Sequence, residues 1–477
     1  MNETTVTSEA LVTARPHRRI VAWVTSRSWY KAVADVSAML IQQVTSTGLA
    51  GITSILTARG LGPQGLGLVG LAQAVTGMTS TLSSLGLNQT AIRYTSREFA
   101  AGRTDAGMAV LRWALRQRLA IVLLISGIAF QCAPLLANNL WHKPELTNLI
   151  RIALPLSIIA TLAFVPDVYF QSLRKFHVNA MVRIGESTVS LLGIVALWVF
   201  ALWTPSAVVI VSTLAAGVGA LLFLSLVPRA AMFSRSEFSL FRLRRPMDLL
   251  RYPHELFTQE GGLEIETPGA FATQLFFSSL LVMITLRLDY ILLGIYRPAS
   301  DVGLYTIGTQ LAMPLTFLTG AVNASLFPRV SAARSPRELR LLAKQAVQMS
   351  ALACVGAVVY SLFAPQLAPV ILGERYRSSV ILGHILCLRG CLSLLACPLA
   401  VVGYGLGLAR AYVFINLLQL VLVASIDVFY IPAHGPIAPA LALVINDLVG
   451  LLGLVILIWR LRTRLCETVA PEMFAPK

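Results

Sequence analysis

The chain has 477 residues, of which 56% are hydrophobic and only 13% are charged, and its mean hydropathy is +0.74. Soluble domains carry about 25% charged residues, so a set of water-soluble domains is excluded, and so is a disordered chain. The remaining class is an all-α polytopic membrane protein.

The formal net charge of +16 comes from 38 Lys and Arg residues against 22 Asp and Glu residues. A basic excess of this kind also occurs in nucleic-acid-binding proteins. Here, however, the cations lie in segments between long apolar runs, and no separate basic domain holds them. Basic loops between membrane spans explain the charge, so we expect no nucleic acid among the partners.

In chain order, residues 1–34 contain five basic residues and no clean apolar core, which predicts a basic cytoplasmic arm without a cleavable signal. Twelve apolar runs long enough to cross a bilayer follow. They lie near 36–57, 66–91, 119–141, 150–172, 184–203, 207–227, 270–295, 303–327, 346–369, 379–403, 411–431 and 438–459. The second and eighth are rich in Thr, Ser, Gln and Asn, which is typical of helices that face a protein interior or a wet cavity.

The basic residues are distributed unequally between alternate connections. If the N-terminus is cytoplasmic, the cytoplasmic segments hold thirty Lys and Arg residues and the outer loops hold six. This asymmetry satisfies the positive-inside rule and supports an even number of spans with both termini in the cytoplasm. An error of one span would reverse the asymmetry of the later loops.

The longest connection, 228–269, is basic first and acidic afterwards, and it is punctuated by Pro and Gly. We interpret it as a cytoplasmic linker between an N-terminal six-helix lobe, 35–227, and a C-terminal six-helix lobe, 270–460. Residues 461–477 then form a cytoplasmic tail.

The two predicted lobes resemble each other. Gly67-Leu68 precedes Arg93 as Gly303-Leu304 precedes Arg329, with a Gly-to-Arg spacing of 26 in both and an offset of 236. Six spans per repeat give both halves the same orientation, so the pseudo-twofold axis runs along the membrane normal, as in parallel-repeat transporters. We expect a cavity between the two bundles; a duplicated structural or receptor-like protein without transport is the alternative.

Six cysteines occur, and three of them, Cys387, Cys391 and Cys397, have a spacing that suggests a metal cluster. The lone His384 is the only zinc ligand type beside them, so core packing is favoured and neither a metal nor a disulfide framework is expected.

Two short segments carry a family resemblance. Residues 58–67, with the sequence ARGLGPQGLG, resemble an "aR-lGp-xxfG" motif, and residues 288–305 resemble a "D-xxllG…vGlY" motif. Both motifs are typical of the polysaccharide-transporter branch of the MOP superfamily, which includes the O-antigen and exopolysaccharide flippases. The similarity extends over roughly 36–460, and Leu66 departs from it where the family often has an aromatic residue.

The resemblance implies a V-shaped fold of about twelve helices in the bacterial cytoplasmic (inner) membrane. It also implies alternating-access movement of an undecaprenyl-pyrophosphate-linked oligosaccharide to the outer leaflet, for O-antigen, exopolysaccharide or capsule synthesis. The expected partners are this glycan, the bilayer and the polysaccharide polymerase machinery. The protein would be a transporter and not an enzyme.

Pyrophosphate in the cavity calls for cations. An Arg at the centre of a span costs roughly 2.5–3.5 kcal/mol on insertion scales, so it usually faces a cavity or a partner. Arg287 and Arg389 are the first candidates for substrate binding, because the planar guanidinium suits phosphate oxygens. Arg59 and Arg151, near the outer ends of their spans, are second. The alternative for Arg287 and Arg389 is a structural pair with a carboxylate.

Intramembrane carboxylates could couple transport to H⁺ or Na⁺, and no other cofactor is expected. Asp289 ranks first because it belongs to the second motif, and Glu186 and Asp167 follow; Asp427 and Asp447 also lie in or near spans. Hydrogen bonding between helices is the alternative for each of them.

Other functions remain open. A multidrug or small-molecule exporter of a related MOP branch would favour acidic and aromatic cavity residues, and the intramembrane arginines argue against it. A polyprenyl-dependent glycosyltransferase or polymerase would need an acidic motif or long outer loops. The chain has no Asp-x-Asp and no P-loop motif. A lipid II flippase typically has fourteen spans.

Overall fold

The computed structural model describes residues 27–84, 87–173, 175–228, 268–332, 336–405 and 409–469, and the long elements within these ranges are all α-helices. They are α1 (Arg27–Ser84), α2 (Leu87–Ala100), α3 (Thr104–Pro134), α4 (Leu146–Ser172), α5 (Phe176–Val199), α6 (Pro205–Leu226), α7 (Pro268–Tyr296), α8 (Ala299–Ala332), α9 (Pro336–Phe363), α10 (Ala368–Leu372), α11 (Ser379–Gly405), α12 (Ala409–His434) and α13 (Ile437–Val469). Helix α1 begins at Arg27, so the predicted arm is already helical over 27–34. The rest of the arm, nearly all of the predicted linker and the last residues of the tail lie outside the described ranges.

Ten of the twelve predicted spans correspond to one helix each, α3 to α9 and α11 to α13. The first two spans lie in α1, which consists of two helical segments separated by a non-helical backbone conformation at Gly62. Eight helices in the described part of the chain are long and apolar enough to cross a membrane. Large apolar side chains such as Leu214 and Phe429 are exposed on the outer faces, as lipid-facing residues are.

Helix α1 is bent at Gly62, whose φ of 64° lies in the left-handed region that favours glycine. Pro63 follows and has no N–H to donate to the preceding turn. The backbone at Gly62 is not helical, so the chain changes direction there, between the two predicted spans.

Helices α1 to α6 form the N-lobe, and α7 to α13 form the C-lobe. The lobes meet chiefly where α8 packs along α1, with α7 also touching α1. The connections 141–145, 297–298 and 373–378 surround this meeting point, and we refer to this end of the molecule as the closed end. Under the charge asymmetry of the sequence, the closed end is the predicted outer side.

The two lobes touch through residues that the repeat makes equivalent. A methyl group built on Gly67 would overlap the carbonyl oxygen of Ala299, and one built on Gly303 would overlap the carbonyl oxygen of Pro63. Ala299 follows Pro63 by the same 236 residues that separate the two glycines. Further along, the Gly70 Cα faces the Thr306 hydroxyl, again 236 residues on, so the pseudo-twofold axis passes between them. Backbone contacts this close need glycine at both positions.

Candidate functional site

Six hydrogen bonds join the lobes among the described residues, and all lie in the half of the molecule that includes the closed end. They link Ser54 to Gln310, Arg59 to Ile371, Trp141 to Ile291, Lys143 to Gly294, Lys143 to Arg297, and Tyr376 to Ala58. A small apolar core supports them, with Leu66 of the N-lobe packed beside Ile307 and Leu372 of the C-lobe. Any passage between the lobes is therefore blocked at the closed end in this conformation.

Arg287, on α7, lies between the lobes. Its guanidinium packs directly against Gly77 of α1, where an added methyl group would lie 2.8 Å from Nη2. The side chain is half-buried and, within the described ranges, makes no hydrogen bond or ion pair. The structural ion pair that the sequence leaves open for Arg287 is thus not formed among the described residues, although Arg287 interacts electrostatically with the buried Asp289.

The part of α1 that contains Gly77 is polar, and its hydroxyl groups have hydrogen-bond partners. Hydroxyl groups on the second half of α1 donate to carbonyls one turn earlier in the same helix, as those of Thr76, Thr79 and Thr81 do. Each of these hydroxyls is thereby hydrogen-bonded within its own helix, and Thr76 and Thr79 are buried. This agrees with the polar character that the sequence predicts for the second span.

Asp289, two residues after Arg287, is almost fully buried inside the C-lobe. Its Oδ2 accepts a short hydrogen bond from the Tyr305 hydroxyl on α8, and Oδ1 lacks a partner among the described residues. Tyr290 stacks edge-on against Tyr305 at 5.2 Å and exchanges a 2.9 Å hydrogen bond with Thr309. The aspartate and the tyrosine of the second motif are therefore in contact, although 16 residues separate them.

A second buried carboxylate stands close to Asp289. Asp427 on α12 is completely buried, neither of its oxygens has a hydrogen-bond partner in the described part of the chain, and it interacts electrostatically with Asp289. Burying a lone carboxylate is costly. The sequence places Asp427 in a span but does not single it out, because proximity between α7 and α12 has no signature in the spacing.

Arg389 on α11 is paired with a carboxylate, which is the predicted alternative to substrate binding. Its Nε lies 3.3 Å from Asp447 Oδ2 on α13, in a contact that is mostly sheltered from solvent. Ser393 also donates to Asp447, and Asn446 donates to its other oxygen at 2.9 Å. The pair fastens α11 to α13 within the C-lobe, yet Arg389 still lies close enough to Asp289 to interact with it electrostatically.

The two second-choice arginines lie elsewhere. Arg59, which is exposed, donates from Nε to the Ile371 carbonyl at 2.5 Å, across the lobe boundary at the closed end. Arg151 stays within the N-lobe, where its guanidinium lies over the Phe130 ring at 4.8 Å. Neither residue is brought together with Arg287.

Asp167 and Glu186, the two N-lobe carboxylates predicted to couple transport to an ion, share one cation. Arg183 lies 3.8 Å from Asp167 and 3.4 Å from Glu186, and Asn179 donates to Asp167 at 2.8 Å. The structure thus brings Asp167 and Glu186 together with each other, far along the chain from Asp289. Their charges are compensated locally.

Two of the three thiols of the cysteine run, those of Cys387 and Cys397, donate to backbone carbonyls. Cys387 reaches Leu311 and Cys397 reaches Thr319, both on α8, with S···O distances of 3.8 and 3.6 Å. No cluster of three or more metal-ligating side chains occurs within the described ranges. The contacts are those of core packing between α8 and α11.

The sequence of the chain is similar to known protein families. Sequence models of two protein families, each described as "Polysaccharide biosynthesis protein", match residues 32–263 and 264–381. No curated protein sequence matches the chain.

Several solved structures share the fold. An inward-facing multidrug resistance MATE family transporter of the MOP superfamily is similar with a TM-score of 0.64, at 16% identity over 90% of this chain and 96% of that one. The lipid II flippase MurJ, in an inward closed conformation, is similar with a TM-score of 0.65, at 14% identity over 89% of this chain and 87% of that one. An outward-facing MATE transporter has a TM-score of 0.58, at 16% identity over 90% and 96% of the two chains. These identities are low, so the likeness concerns the fold.

Proposed function

We propose that this chain, which belongs to the polysaccharide-biosynthesis proteins by its sequence and shares the fold of MOP-superfamily transporters, is a flippase for a polyprenyl-pyrophosphate-linked oligosaccharide. The sugar diphosphate passes between the two lobes while the polyprenyl tail stays in lipid. The protein transports its substrate and performs no chemistry on it. The glycan enters polysaccharide synthesis on the outer side of the cytoplasmic membrane.

The observation that carries this proposal is the cation between the lobes. A diphosphate that leaves water needs opposite charge to offset its desolvation, and Arg287 supplies that charge at a place where it forms no ion pair with a described residue, although it interacts electrostatically with the buried Asp289. A cationic drug would be repelled at the same position. The MATE and MurJ structures share the fold and so do not choose between these substrates.

Alternating access gives the direction of movement. The contacts at the closed end block the outer side, so the glycan enters between the lobes from the cytoplasmic side and reaches Arg287. Separation of the lobes at the closed end then releases it outside. The assignment of sides rests on the thirty basic residues of the predicted cytoplasmic segments against six in the outer loops.

We propose Asp289 as the ion-coupling residue, together with Asp427, which is buried close to it. Two buried carboxylates with unpartnered oxygens can take up a proton or Na⁺ and release it when their surroundings change. The Tyr305 hydroxyl ties Asp289 to α8, the helix that contacts the N-lobe. Occupancy of the carboxylates can therefore influence the packing of the lobes.

Leaflet exchange tests the function. Wild-type protein in proteoliposomes will move a fluorescent polyprenyl-pyrophosphate oligosaccharide between leaflets. Arg287→Ala will lower the rate about tenfold or more, the equivalent of one charge-assisted hydrogen bond, while Arg287→Lys will keep part of it. Arg151→Ala removes a comparable arginine from the N-lobe surface and serves as the matched control.

Two outcomes would contradict the proposal. Equal exchange in Arg287→Ala and Arg151→Ala would remove Arg287 from the mechanism. Absence of exchange with several glycans, together with export of a cationic dye, would establish the exporter function instead.

Charge-neutral substitution tests the coupling. Asp289→Asn keeps an acceptor for Tyr305 but cannot titrate, so we expect folded protein whose transport no longer responds to an imposed H⁺ or Na⁺ gradient. Exchange at zero gradient should persist. Glu186→Gln, in the locally compensated N-lobe cluster, is the control and should retain the response. A response that survives in Asp289→Asn would refute the assignment.

A further inference from the structure

A lysine of the N-lobe lies at the end of a C-lobe helix. Lys143, in the connection between α3 and α4, donates from Nζ to the carbonyls of Gly294 at 2.5 Å and Arg297 at 3.1 Å. Helix α7 ends at Tyr296, so its last carbonyls lack helical partners and carry the negative end of the helix dipole. The Lys143 ammonium group therefore binds carbonyl oxygens at the end of α7 that have no partner within the helix.

An arginine of the N-lobe makes the same kind of contact nearby. Arg59 donates to the carbonyl of Ile371, at the end of the short helix α10. In the opposite direction, the Tyr376 hydroxyl of the C-lobe donates at 2.7 Å to Ala58, just before the bend in α1. Each contact joins a polar side chain of one lobe to a backbone carbonyl of the other.

No described carboxylate competes for Lys143. The nearest acidic group along the chain at the end of α7, Asp301, is held by Arg297 at 2.8 Å. Trp141 O is the third acceptor of the ammonium, and the Trp141 indole itself donates to Ile291 of α7 at 3.1 Å. Partial burial lowers the pKa of Lys143 from the value of a free lysine.

We propose that Lys143 and Arg59 form a releasable latch that keeps the closed end shut by binding the carboxyl ends of α7 and α10. The proposal rests on the flippase function, since the latch must open for the glycan to leave. Charge-to-carbonyl contacts suit this task, because water can replace the carbonyls around both cations once the lobes part. The contact between Gly67 and Gly303 fixes the fit of the lobes, and the latch sets how readily they separate.

Accessibility of the lobe interface tests the latch. Ser54→Cys places a thiol where Ser54 contacts Gln310 across the lobes, and its reaction with a membrane-impermeant maleimide added at the closed end reports opening. The same variants without Ser54→Cys give the contribution of the native cysteines. No glycan and no ion gradient is present, so the result does not depend on transport.

Lys143→Met should raise the labelling rate about tenfold, in line with the free energy of a partly buried cation at a helix carboxyl end. Arg59→Leu should raise it as well, and the double variant should exceed either. Lys143→Arg should stay near the wild-type rate. Lys175→Met, which removes an exposed lysine from the other end of the N-lobe, is the matched control.

The outcomes separate the latch from the function. Labelling of Lys143→Met and of the double variant at the control rate would overturn the latch, and so would a lower melting temperature with unchanged labelling, since the contact would then be structural only. If Arg287→Ala leaves glycan exchange intact while Lys143→Met still opens the closed end, the proposed substrate site is refuted and the latch is supported.

Discussion

Replacing Gly67 by alanine should lower glycan exchange by at least about tenfold, because overpacking in a fitted contact typically costs 1–3 kcal/mol. The added methyl group would overlap the Ala299 carbonyl of α8, which is backbone and cannot move aside as a flexible side chain could. The lobes would then be unable to close fully at the closed end. Gly67→Val should abolish exchange.

The matched control is Gly51→Ala, on the same helix, where an added methyl group meets nothing within 4 Å. The repeat predicts an equal effect for Gly303→Ala, which would strike the Pro63 carbonyl. Leaflet exchange measured beside the Ser54→Cys labelling rate shows whether loss of transport accompanies an open closed end. Exchange in Gly67→Ala at the level of Gly51→Ala would show that this contact is not part of the transport cycle.

Removing the Asp447 carboxylate should destabilise the C-lobe by about 2–3 kcal/mol, somewhat less than the loss of one partner from a fully buried pair. In Asp447→Ala, the guanidinium of Arg389 would lose its counter-charge, and the hydroxyl of Ser393 would lose its acceptor. Both donors lie between α11 and α13, where few other acceptors are available. Thermal unfolding of the purified protein measures the change.

The surface pair Glu374–Arg377 provides the control, because both side chains are exposed and Glu374→Ala should change stability by less than about 1 kcal/mol. The double variant Arg389→Met/Asp447→Leu should recover most of the stability, since it leaves no charge uncompensated. A loss in Asp447→Ala no larger than that in Glu374→Ala would mean that the pair contributes little to the packing of α11 against α13.

Spans were predictable from the sequence because each needs only a run of apolar residues, and ten of the predicted runs correspond to single helices. The break between the first two spans also has a signal in the sequence, since Gly62 adopts a positive φ and Pro63 cannot donate a hydrogen bond to the preceding turn.

The contents of the candidate site were less predictable, because partners on different helices leave no trace in local spacing. Arg287 and Arg389 look alike in the sequence, each a lone arginine in an apolar run. Only the structure distinguishes them, by placing Asp447, 58 residues away, beside Arg389 and Gly77 of the N-lobe against Arg287. Likewise, only the structure identifies Asp427 as a candidate, because it shows that Asp427 is buried near Asp289.

The repeat-related contacts across the axis have an evolutionary consequence. Residues 63–70 of the N-lobe contact residues 299–306 of the C-lobe through positions that the repeat makes equivalent. A self-complementary homodimer interface has the same property. A single six-helix ancestor would already have carried everything required to associate with its own copy. Duplication and fusion then needed no new interface, only freedom for the two copies to diverge. One copy acquired the arginine and the buried aspartates, while both kept the glycines that let them approach.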